Sequence, residues 1–215
     1  MTASPTSLAW RPAVLAADER ARACAATDLE REQVHRAAEG VEDAQAWLVR
    51  RVIAPVRAVA RTLLRNPADA DDAAQKALLE VLTSARSFRG EGSLDAWARR
   101  IAVRTALRHA RTERRQPTAA AADLEGADWL PAEGDTPALD ALPRPLPYYL
   151  AELPAAQRDA LILHHALGYT VPEVAELTEV GVETVRGRLR LGTAALRKRV
   201  RQDLLIGANG PRRRP

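Results

Sequence analysis

Residues 170–190 carry the sequence TVPEVAELTEVGVETVRGRLR, which decides the fold of the C-terminal part of the chain. Thr170, followed by a proline and then by Glu173, forms a capping box, in which each side chain bonds a free backbone N–H at a helix start. The short helix that begins here is predicted to reach a turn at 178–181, and a second amphipathic helix starts at Val182. This order predicts a helix-turn-helix, a motif that presents its second helix to the major groove of DNA.

The second helix of this motif has a polar face directed away from its apolar stripe. Arginine binds guanine bidentately and glutamate accepts from cytosine, so such a face is suited to base edges. A glycine on it would allow the backbone to approach a phosphate. The candidate DNA-contacting residues are Glu183, Thr184, Arg186, Gly187, Arg188 and Arg190. A helical hairpin used only for protein contact would show the same short motif, and that alternative stays open.

An arginine-rich helix is predicted upstream, capped by Ser93. At 100° per residue, its tryptophan and five of its arginines fall within an arc of about 80°. The members of this arc are Trp97, Arg100, Arg104, Arg108, Arg111 and Arg115. Like charges one turn apart repel, so the stripe suits a row of phosphates, and the tryptophan suits stacking on an unpaired base. The alternatives are an exposed helix whose arginine stems cover apolar surface, and a tryptophan that belongs to the core.

The segment before the arginine helix is also predicted to be helical. Alanines and leucines recur at i, i+3, i+4 and i+7 from Ala70 onwards, and Asp69 is predicted to cap this helix. The dipeptide Asn66–Pro67 separates it from an earlier helical stretch that begins near Val34, because the residue before a proline disfavours the α conformation. A glycine-containing loop, 88–93, follows it.

These patterns predict an all-α fold of two small helical domains joined by a proline-rich linker. Six of the 14 prolines lie in the linker, where they block long helices. The predicted divisions are a weakly structured tail at 1–30, a first helical domain at 31–115, the linker at 116–147, a second helical domain at 148–205, and a basic tail at 206–215.

Composition limits the classes of function. Lys+Arg is 32 against Asp+Glu 28, so the net charge is only +4 and the distribution of charge carries more information than its total. The single cysteine, Cys24, excludes an internal disulfide and a CxxC metal site. His164 and His165 are adjacent, so on a helix they are expected to point apart and not to chelate one metal.

Catalytic motifs are also lacking. The sequence has no glycine-rich phosphate loop and no convincing catalytic triad, so no catalytic residue, metal or cofactor is expected. No apolar run approaches the length of a membrane span, and the N-terminus has no secretory pattern. The predicted location is the cytoplasm.

Two stretches resemble conserved regions of one family. Residues 65–111, RNPADADDAAQKALLEVLTSARSFRGEGSLDAWARRIAVRTALRHAR, resemble region two of the extracytoplasmic-function (ECF) sigma factors of bacterial RNA polymerase. Residues 153–200, LPAAQRDALILHHALGYTVPEVAELTEVGVETVRGRLRLGTAALRKRV, resemble their region four. The order of the two stretches, their spacing and the proline-rich separator also match that family.

The resemblance implies a non-catalytic factor that binds core RNA polymerase and promoter DNA. The helix with the acidic cap would dock on the clamp of the largest subunit through Asp69, Asp71, Asp72 and Gln75. Residues that would recognise and melt the minus-ten element are Phe88, Arg89, Gly90, Trp97, Arg100, Arg104 and Arg108. Region four would read the minus-thirty-five element and bind the flap of the second-largest subunit. Many relatives are held inactive by an anti-sigma protein, which the resemblance adds as a further partner.

Some residues depart from the usual pattern of that family. Arg104 stands where the family frequently has Asn, and Arg108 stands near a position where it usually has Asp. The base preference of the family at the minus-ten element is therefore not assumed for this chain. Lys76 replaces a usual Glu on the clamp-facing helix. In the turn, Glu179 stands where Gly is usual, and a left-handed backbone there would strain a glutamate. Gly181 replaces the usual Ser cap at modest cost.

Two other classes of protein have part of this pattern. A DNA-binding regulator using only the helix-turn-helix would leave the arginine stripe and the two-domain layout unexplained. A helical adaptor that binds only proteins would not bind DNA in a salt-sensitive way. An enzyme is a distant third. A complex with core polymerase formed without DNA separates a sigma factor from a simple regulator.

Overall fold

The structure, a computed structural model, describes residues 28–115 and 142–208, and all regular structure in these two segments is helical. Its α-helices are α1 Asp28–Ala38, α2 Glu42–Leu63, α3 Pro67–Thr83, α4 Leu94–Arg115, α5 Leu146–Ala151, α6 Ala155–Leu161, α7 Val171–Thr178 and α8 Val182–Ala208. A 3-10 turn, Ala85–Ser87, follows α3, and a π turn, Ile162–Ala166, follows α6. The predicted all-α fold is confirmed. The tail up to residue 27, most of the linker, and residues 209–215 lie outside the described residues.

Helices α1 to α4 form the first bundle. The apolar stripe of α2 is fully buried at Leu48, Val52 and Val56, and α2 continues through Pro55. The buried face of α3 consists mainly of alanines, which allow α2 and α4 to approach closely. Burying a valine or leucine side chain contributes about 1.5–3 kcal/mol, so this stripe stabilises the bundle.

The N-cap of α3 is Asn66, and the prediction of Asp69 in that role is wrong. The Asn66 side chain accepts a hydrogen bond from the Ala68 N–H at 2.9 Å. Pro67 occupies the first helical position, where its missing N–H has no partner to lose. Asp69 lies in the first turn, close to the positive end of the helix dipole. The Asn-Pro pair therefore both ends one helix and starts the next.

The helical stretch predicted from Val34 divides at Gly40 into α1 and α2. Gly40 has a positive φ of 89°, a conformation that glycine adopts without strain. The Val41 N–H donates to the Arg36 carbonyl oxygen at 3.1 Å, which closes the C-terminus of α1. As a result α1 folds back and packs on α2.

Helices α5 to α8 form the second bundle, and α5 begins at Leu146, inside the segment predicted as linker. Tyr149 of α5 is fully buried, and its hydroxyl donates to the Asp203 carboxylate at 3.0 Å. Burial, reinforced by Asp203, raises the pKa of Tyr149. Arg144 pairs with the same carboxylate at 3.2 Å. These contacts attach α5 to the C-terminal half of α8.

The two bundles contact each other through α4 and α7. Buried apolar side chains of α7, including Val174 and Leu177, belong to the same contiguous cluster as the core of α2, α3 and α4. The helix-turn-helix therefore packs against the arginine-rich helix.

Candidate nucleic-acid interface

The predicted capping box of the helix-turn-helix is present. The Glu173 carboxylate accepts from the Thr170 N–H at 2.8 Å, and the Thr170 hydroxyl accepts from the Glu173 N–H at 3.4 Å. This reciprocal pair fixes the start of α7 and with it the direction from which the chain enters the turn.

Glu179 has a left-handed backbone in the turn, although the strain expected for a glutamate at this position favoured a slightly different turn. Its φ is 58° and its ψ is 42°, and within the described ranges it is the one residue other than glycine with a positive φ. The Val180 N–H donates to the Ala175 carbonyl oxygen at 3.1 Å and closes the turn. The motif thus keeps its geometry at the expense of strain at a glutamate.

The start of α8 presents the predicted polar face to solvent. Val185 anchors α8 in the core, being fully buried. On the predicted face the exposed residues are Glu183, Thr184, Arg186 and Arg190, while Gly187 and Arg188 are half-buried. Glu183 and Arg186 form an ion pair with each other one turn apart. A Cβ at Gly187 would meet no atom within 4 Å, so no packing inside the protein requires glycine there.

The predicted stripe on α4, which we call the arginine face, consists of Arg100, Arg104, Arg108 and Arg111; the side chain of Arg115 is outside the described part. Each of the four meets an acceptor from another helix. The Glu176 carboxylate of α7 accepts from Arg100 at 3.1 Å and from Arg104 at 3.0 Å.

The other two arginines find separate partners. Arg108 pairs with Glu80 of α3 at 2.5 Å. Arg111 donates to the Thr178 carbonyl oxygen at 3.2 Å and lies 3.7 Å from the Glu179 carboxylate. The repulsion expected along the stripe is therefore offset by carboxylates and a carbonyl of the same chain.

An aromatic pair lies at the start of α4. The rings of Phe88 and Trp97 are 5.2 Å apart between centroids and inclined at 52°. Both are half-buried and pack against the core, so each keeps part of its surface exposed to solvent. The Ser93 hydroxyl accepts from the Ala96 N–H at 3.1 Å, which confirms the predicted cap of α4.

The loop before α4 rests on α1, a support that the sequence did not suggest. Gly90 is buried with a φ of 72°, and a Cβ there would lie 2.5 Å from the Cδ of Arg31. Arg51 of α2 pairs with Asp95 of α4 at 2.7 Å and with Glu30 of α1 at 3.3 Å. Gly90 therefore serves the packing of the loop, whereas its neighbour Arg89 is exposed.

The residues predicted to bind the polymerase clamp fall into two groups, one exposed to solvent and one close to charged side chains of neighbouring helices. Asp72 and Gln75 of α3 are exposed, but Asp71 faces two arginines of α2 at 3.7 and 3.8 Å. Asp69 lies 3.7 Å from His109 of α4. Leu79 lies on the same side of α3 as Asp72 and Gln75 and is 64% exposed. The residues predicted for this face did not include Leu79. The sequence did carry a signal for it, because an apolar residue at this position lies outside the buried alanine stripe of α3.

No metal site is found among the described residues, which contain no group of three or more potential ligands. The expectation that His164 and His165 point apart is wrong, because their rings lie 4.7 Å apart in a T-shaped contact. The π turn that carries them widens the backbone and changes the helical angle between neighbours. Burial, and secondarily His164, lowers the pKa of His165. In the described part of the chain, no helix has the length and apolar character of a membrane span.

Two family models match the chain. Sigma-70 region 2 matches residues 48–116, the stretch from α2 to the end of α4, and Sigma-70, region 4 matches residues 144–196, which include the helix-turn-helix. The ECF RNA polymerase sigma factor SigM of Mycobacterium tuberculosis is 32% identical over 149 residues, which are 69% of this chain and 73% of that protein. The chain belongs to the ECF sigma factors.

Other sigma factors agree with this assignment. The ECF RNA polymerase sigma-E factor of Escherichia coli is 28% identical over 144 residues, which cover 61% of this chain and 74% of that protein. The solved structure of the sigma factor RpoE of Bartonella quintana, in complex with the anti-sigma factor NepR, has a TM-score of 0.53 and 24% identity. It covers 70% of this chain and 92% of that one, which supports the fold. As an ECF sigma factor, the chain works in transcription initiation with RNA polymerase.

Proposed function

We propose that this sigma factor directs promoter-specific initiation. In this proposal α8 contacts the minus-thirty-five element, while α4 and the loop before it contact and help to melt the minus-ten element. The observation that carries the proposal is the presence of two separate arginine-bearing surfaces, one on a helix-turn-helix and one beside an aromatic pair. One surface suits the reading of duplex DNA, and the other suits the holding of a single strand.

Recognition of the upstream element would use the exposed start of α8. Arg188 and Arg190 are suited to guanine edges or phosphates, and Glu183 is suited to a cytosine amino group. The open space around Gly187 supports a close approach of DNA backbone at that point. Thr184 and Arg186 complete the candidate surface.

Melting would use the other surface. Stacking on an aromatic ring contributes about 1–3 kcal/mol per base, which offsets the stacking that an extruded base loses. Trp97, supported by Phe88, is the candidate ring. Arg100, Arg104 and Arg108 would hold the phosphates of the strand, with Arg89 at its edge. Gly90 contributes by allowing the loop its left-handed turn.

Core polymerase would dock on the exposed side of α3. Asp72 and Gln75 supply polar contacts and Leu79 an apolar one, with Asp69 and Asp71 at the border. The second bundle would bind the polymerase flap, and an anti-sigma protein is a further proposed partner. This function needs no catalytic residue or cofactor, and it places the chain in the cytoplasm with the polymerase.

In vitro transcription on a genomic template library tests the proposal. Core polymerase with this chain is expected to initiate at specific sites that core polymerase alone does not use. If no site rises above the core-only background, the sigma function is wrong. Tight, specific binding of the chain alone to duplex DNA would instead support a simple DNA-binding regulator.

A further inference from the structure

The backbone of the loop 88–93 lies directly against α1. Gly90 is buried, and a Cβ at its position would be 2.5 Å from the Cδ and 2.9 Å from the Cγ of Arg31. Just before the loop, the Arg86 Nε donates to the carbonyl oxygen of Ala38, the last residue of α1, at 3.4 Å. The aliphatic part of Arg31 therefore fills the space beside Gly90, and the end of α1 contacts the chain that enters the loop.

A second connection runs from α1 to the first turn of α4. Arg51 of α2 pairs with Asp95 of α4 at 2.7 Å and with Glu30 of α1 at 3.3 Å. The Glu30 side chain is only 17% exposed, so this pair is less screened by solvent and salt than an ordinary surface pair. Trp97 lies two residues after Asp95, and its ring contacts that of Phe88. Arg51 therefore connects α1 to the turn of α4 that carries the proposed base-holding ring.

We propose that α1 positions the loop 88–93 for promoter melting, with Arg31 and Arg51 as positioning residues that act through the loop rather than on DNA. The inference rests on the proposed function of this loop and of Trp97. A loop that is already ordered loses less conformational entropy when it captures an extruded base. Helix α1 precedes residues 65–111, so this support lies outside the stretch that resembles region two.

Two substitutions of Arg31 separate the effect of its aliphatic part from that of its charge. Arg31→Ala removes the carbons that lie beside Gly90. Arg31→Met keeps a side chain of similar length but removes the charge and with it the ion pair to the exposed Asp28, 3.1 Å long. Because the contact with Gly90 is made by aliphatic carbons, we expect Arg31→Ala to be defective and Arg31→Met to behave nearly as the wild type.

Arg51→Gln tests the second connection. It removes the pairs with Asp95 and Glu30 but keeps a polar side chain on α2. Adding Asp95→Asn to Arg51→Gln is expected to change little, since both substitutions remove the same pair. Glu39→Gln is the matched control, because it removes an exposed contact with His35, 3.4 Å long, that stays inside α1.

The first measurement is amide hydrogen exchange in the free full-length chain, followed by mass spectrometry. Peptides that span the loop contain the Phe88 and Trp97 amides, which donate to the Ala85 and Ser93 carbonyl oxygens at 3.1 Å each. These amides are expected to exchange about two- to fivefold faster in Arg51→Gln and also faster in Arg31→Ala. Peptides of α2 and α3 should keep their wild-type rates, and Arg31→Met and Glu39→Gln should match the wild type throughout.

Two results of the exchange experiment would overturn the proposal. One is wild-type exchange of the loop in both Arg31→Ala and Arg51→Gln. The other is faster exchange in every helix of the first bundle, which is what a purely structural role of the two arginines predicts.

The second measurement is the rate of open-complex formation by the holoenzyme, on a duplex promoter and on the same promoter with a pre-opened bubble at the minus-ten element. On the duplex, Arg51→Gln and Arg31→Ala are expected to lower this rate about two- to fivefold. On the bubble template both should initiate as the wild type does, and their affinity for core polymerase should be unchanged. Equal losses on the two templates would indicate a general defect in folding or core binding and contradict a positioning role.

The two measurements separate this inference from the proposed function. If the wild-type holoenzyme uses no promoter, the proposed function fails, while hydrogen exchange still decides whether α1 orders the loop. If the wild type melts promoters and Trp97→Ala is defective, but Arg31→Ala and Arg51→Gln melt the duplex at the wild-type rate, the proposed function holds and the positioning role of α1 is wrong.

Discussion

Helices α4 and α8 both carry several arginines but differ in what lies opposite them. On α4, Arg100 and Arg104 face a carboxylate of α7, whereas on α8 the exposed Arg190 has no ion pair within the described ranges. A row of arginines therefore indicates affinity for anions, but the neighbouring helix determines whether that affinity is available. On the surface proposed to read the upstream element Arg190 is exposed, whereas on the surface proposed to hold a single strand Arg100 and Arg104 are paired with Glu176.

The largest expected effect comes from removing two arginines on either surface. Arg188→Ala with Arg190→Ala should weaken the binding of the free chain to duplex DNA and lower its salt slope by about one for each phosphate that is no longer bound. Arg100→Ala with Arg104→Ala should leave both quantities unchanged, because those side chains are already paired.

In the holoenzyme both double variants should reduce promoter use, the upstream pair by about 1–3 kcal/mol for each base that its arginines no longer bind. Fluorescence titration over a salt series and footprinting provide the measurements. If the salt dependence of DNA binding by the free chain falls equally in both double variants, the arginine face is not covered.

The Trp97→Ala variant sharpens the comparison at the covered surface. If the half-buried ring holds an extruded base, its removal should weaken promoter melting by about 1–3 kcal/mol. Binding to core polymerase should be unchanged. Permanganate reactivity of minus-ten thymines should fall, and a template with a pre-opened bubble should restore initiation. If Trp97 serves only the core, the free protein should instead lose about 3–5 kcal/mol of stability, and the bubble should not rescue.

Local features of this chain were predictable, and pairings between distant residues were not. The Thr170–Glu173 box and the Ser93 cap of α4 follow from residues within one turn of each other. The Arg104–Glu176 pair joins residues 72 apart, and Arg51 and Asp95 are 44 apart. A chain with many arginines and acids offers many such partners, and only the packing of α7 on α4 and of α4 on α2 selects among them. The packing of Gly90 against α1 was not predicted for the same reason, because it too joins residues that are distant in the sequence.

A smaller effect is expected from Glu179→Gly in the turn between α7 and α8. A left-handed conformation costs a residue with a side chain about 1–2 kcal/mol, and glycine avoids this cost. Part of the stability gained in this way is offset by the greater freedom of glycine in the unfolded chain. The ion pair of Glu179 with Arg111 is long and 80% exposed on the glutamate side, so its removal matters little. We expect a net stabilisation of about 0.5–1 kcal/mol in denaturant unfolding, with Glu179→Asn in between. A less stable glycine variant would mean that the ion pair with Arg111 outweighs the strain.

The smallest expected effect is a loss of stability at alkaline pH. Burial raises the pKa of Tyr169, a half-buried residue; Arg100 and Arg99 oppose this shift, and Glu173 adds to it. In the unfolded chain the phenol has its ordinary pKa of about 10. The folded chain therefore holds the proton of Tyr169 more tightly than the unfolded chain.

Raising the pH through about 10 removes stability from the folded chain, and the decrease continues until the raised pKa of Tyr169 is passed. The free energy of unfolding in denaturant should therefore fall from about pH 9 to 11 more steeply in the wild type than in Tyr169→Phe, which has no proton to lose. Every other titratable group is common to the two proteins, so the difference between their pH profiles isolates Tyr169. Identical pH profiles in the two proteins would show that the folded chain does not hold the proton of Tyr169 more tightly than the unfolded chain.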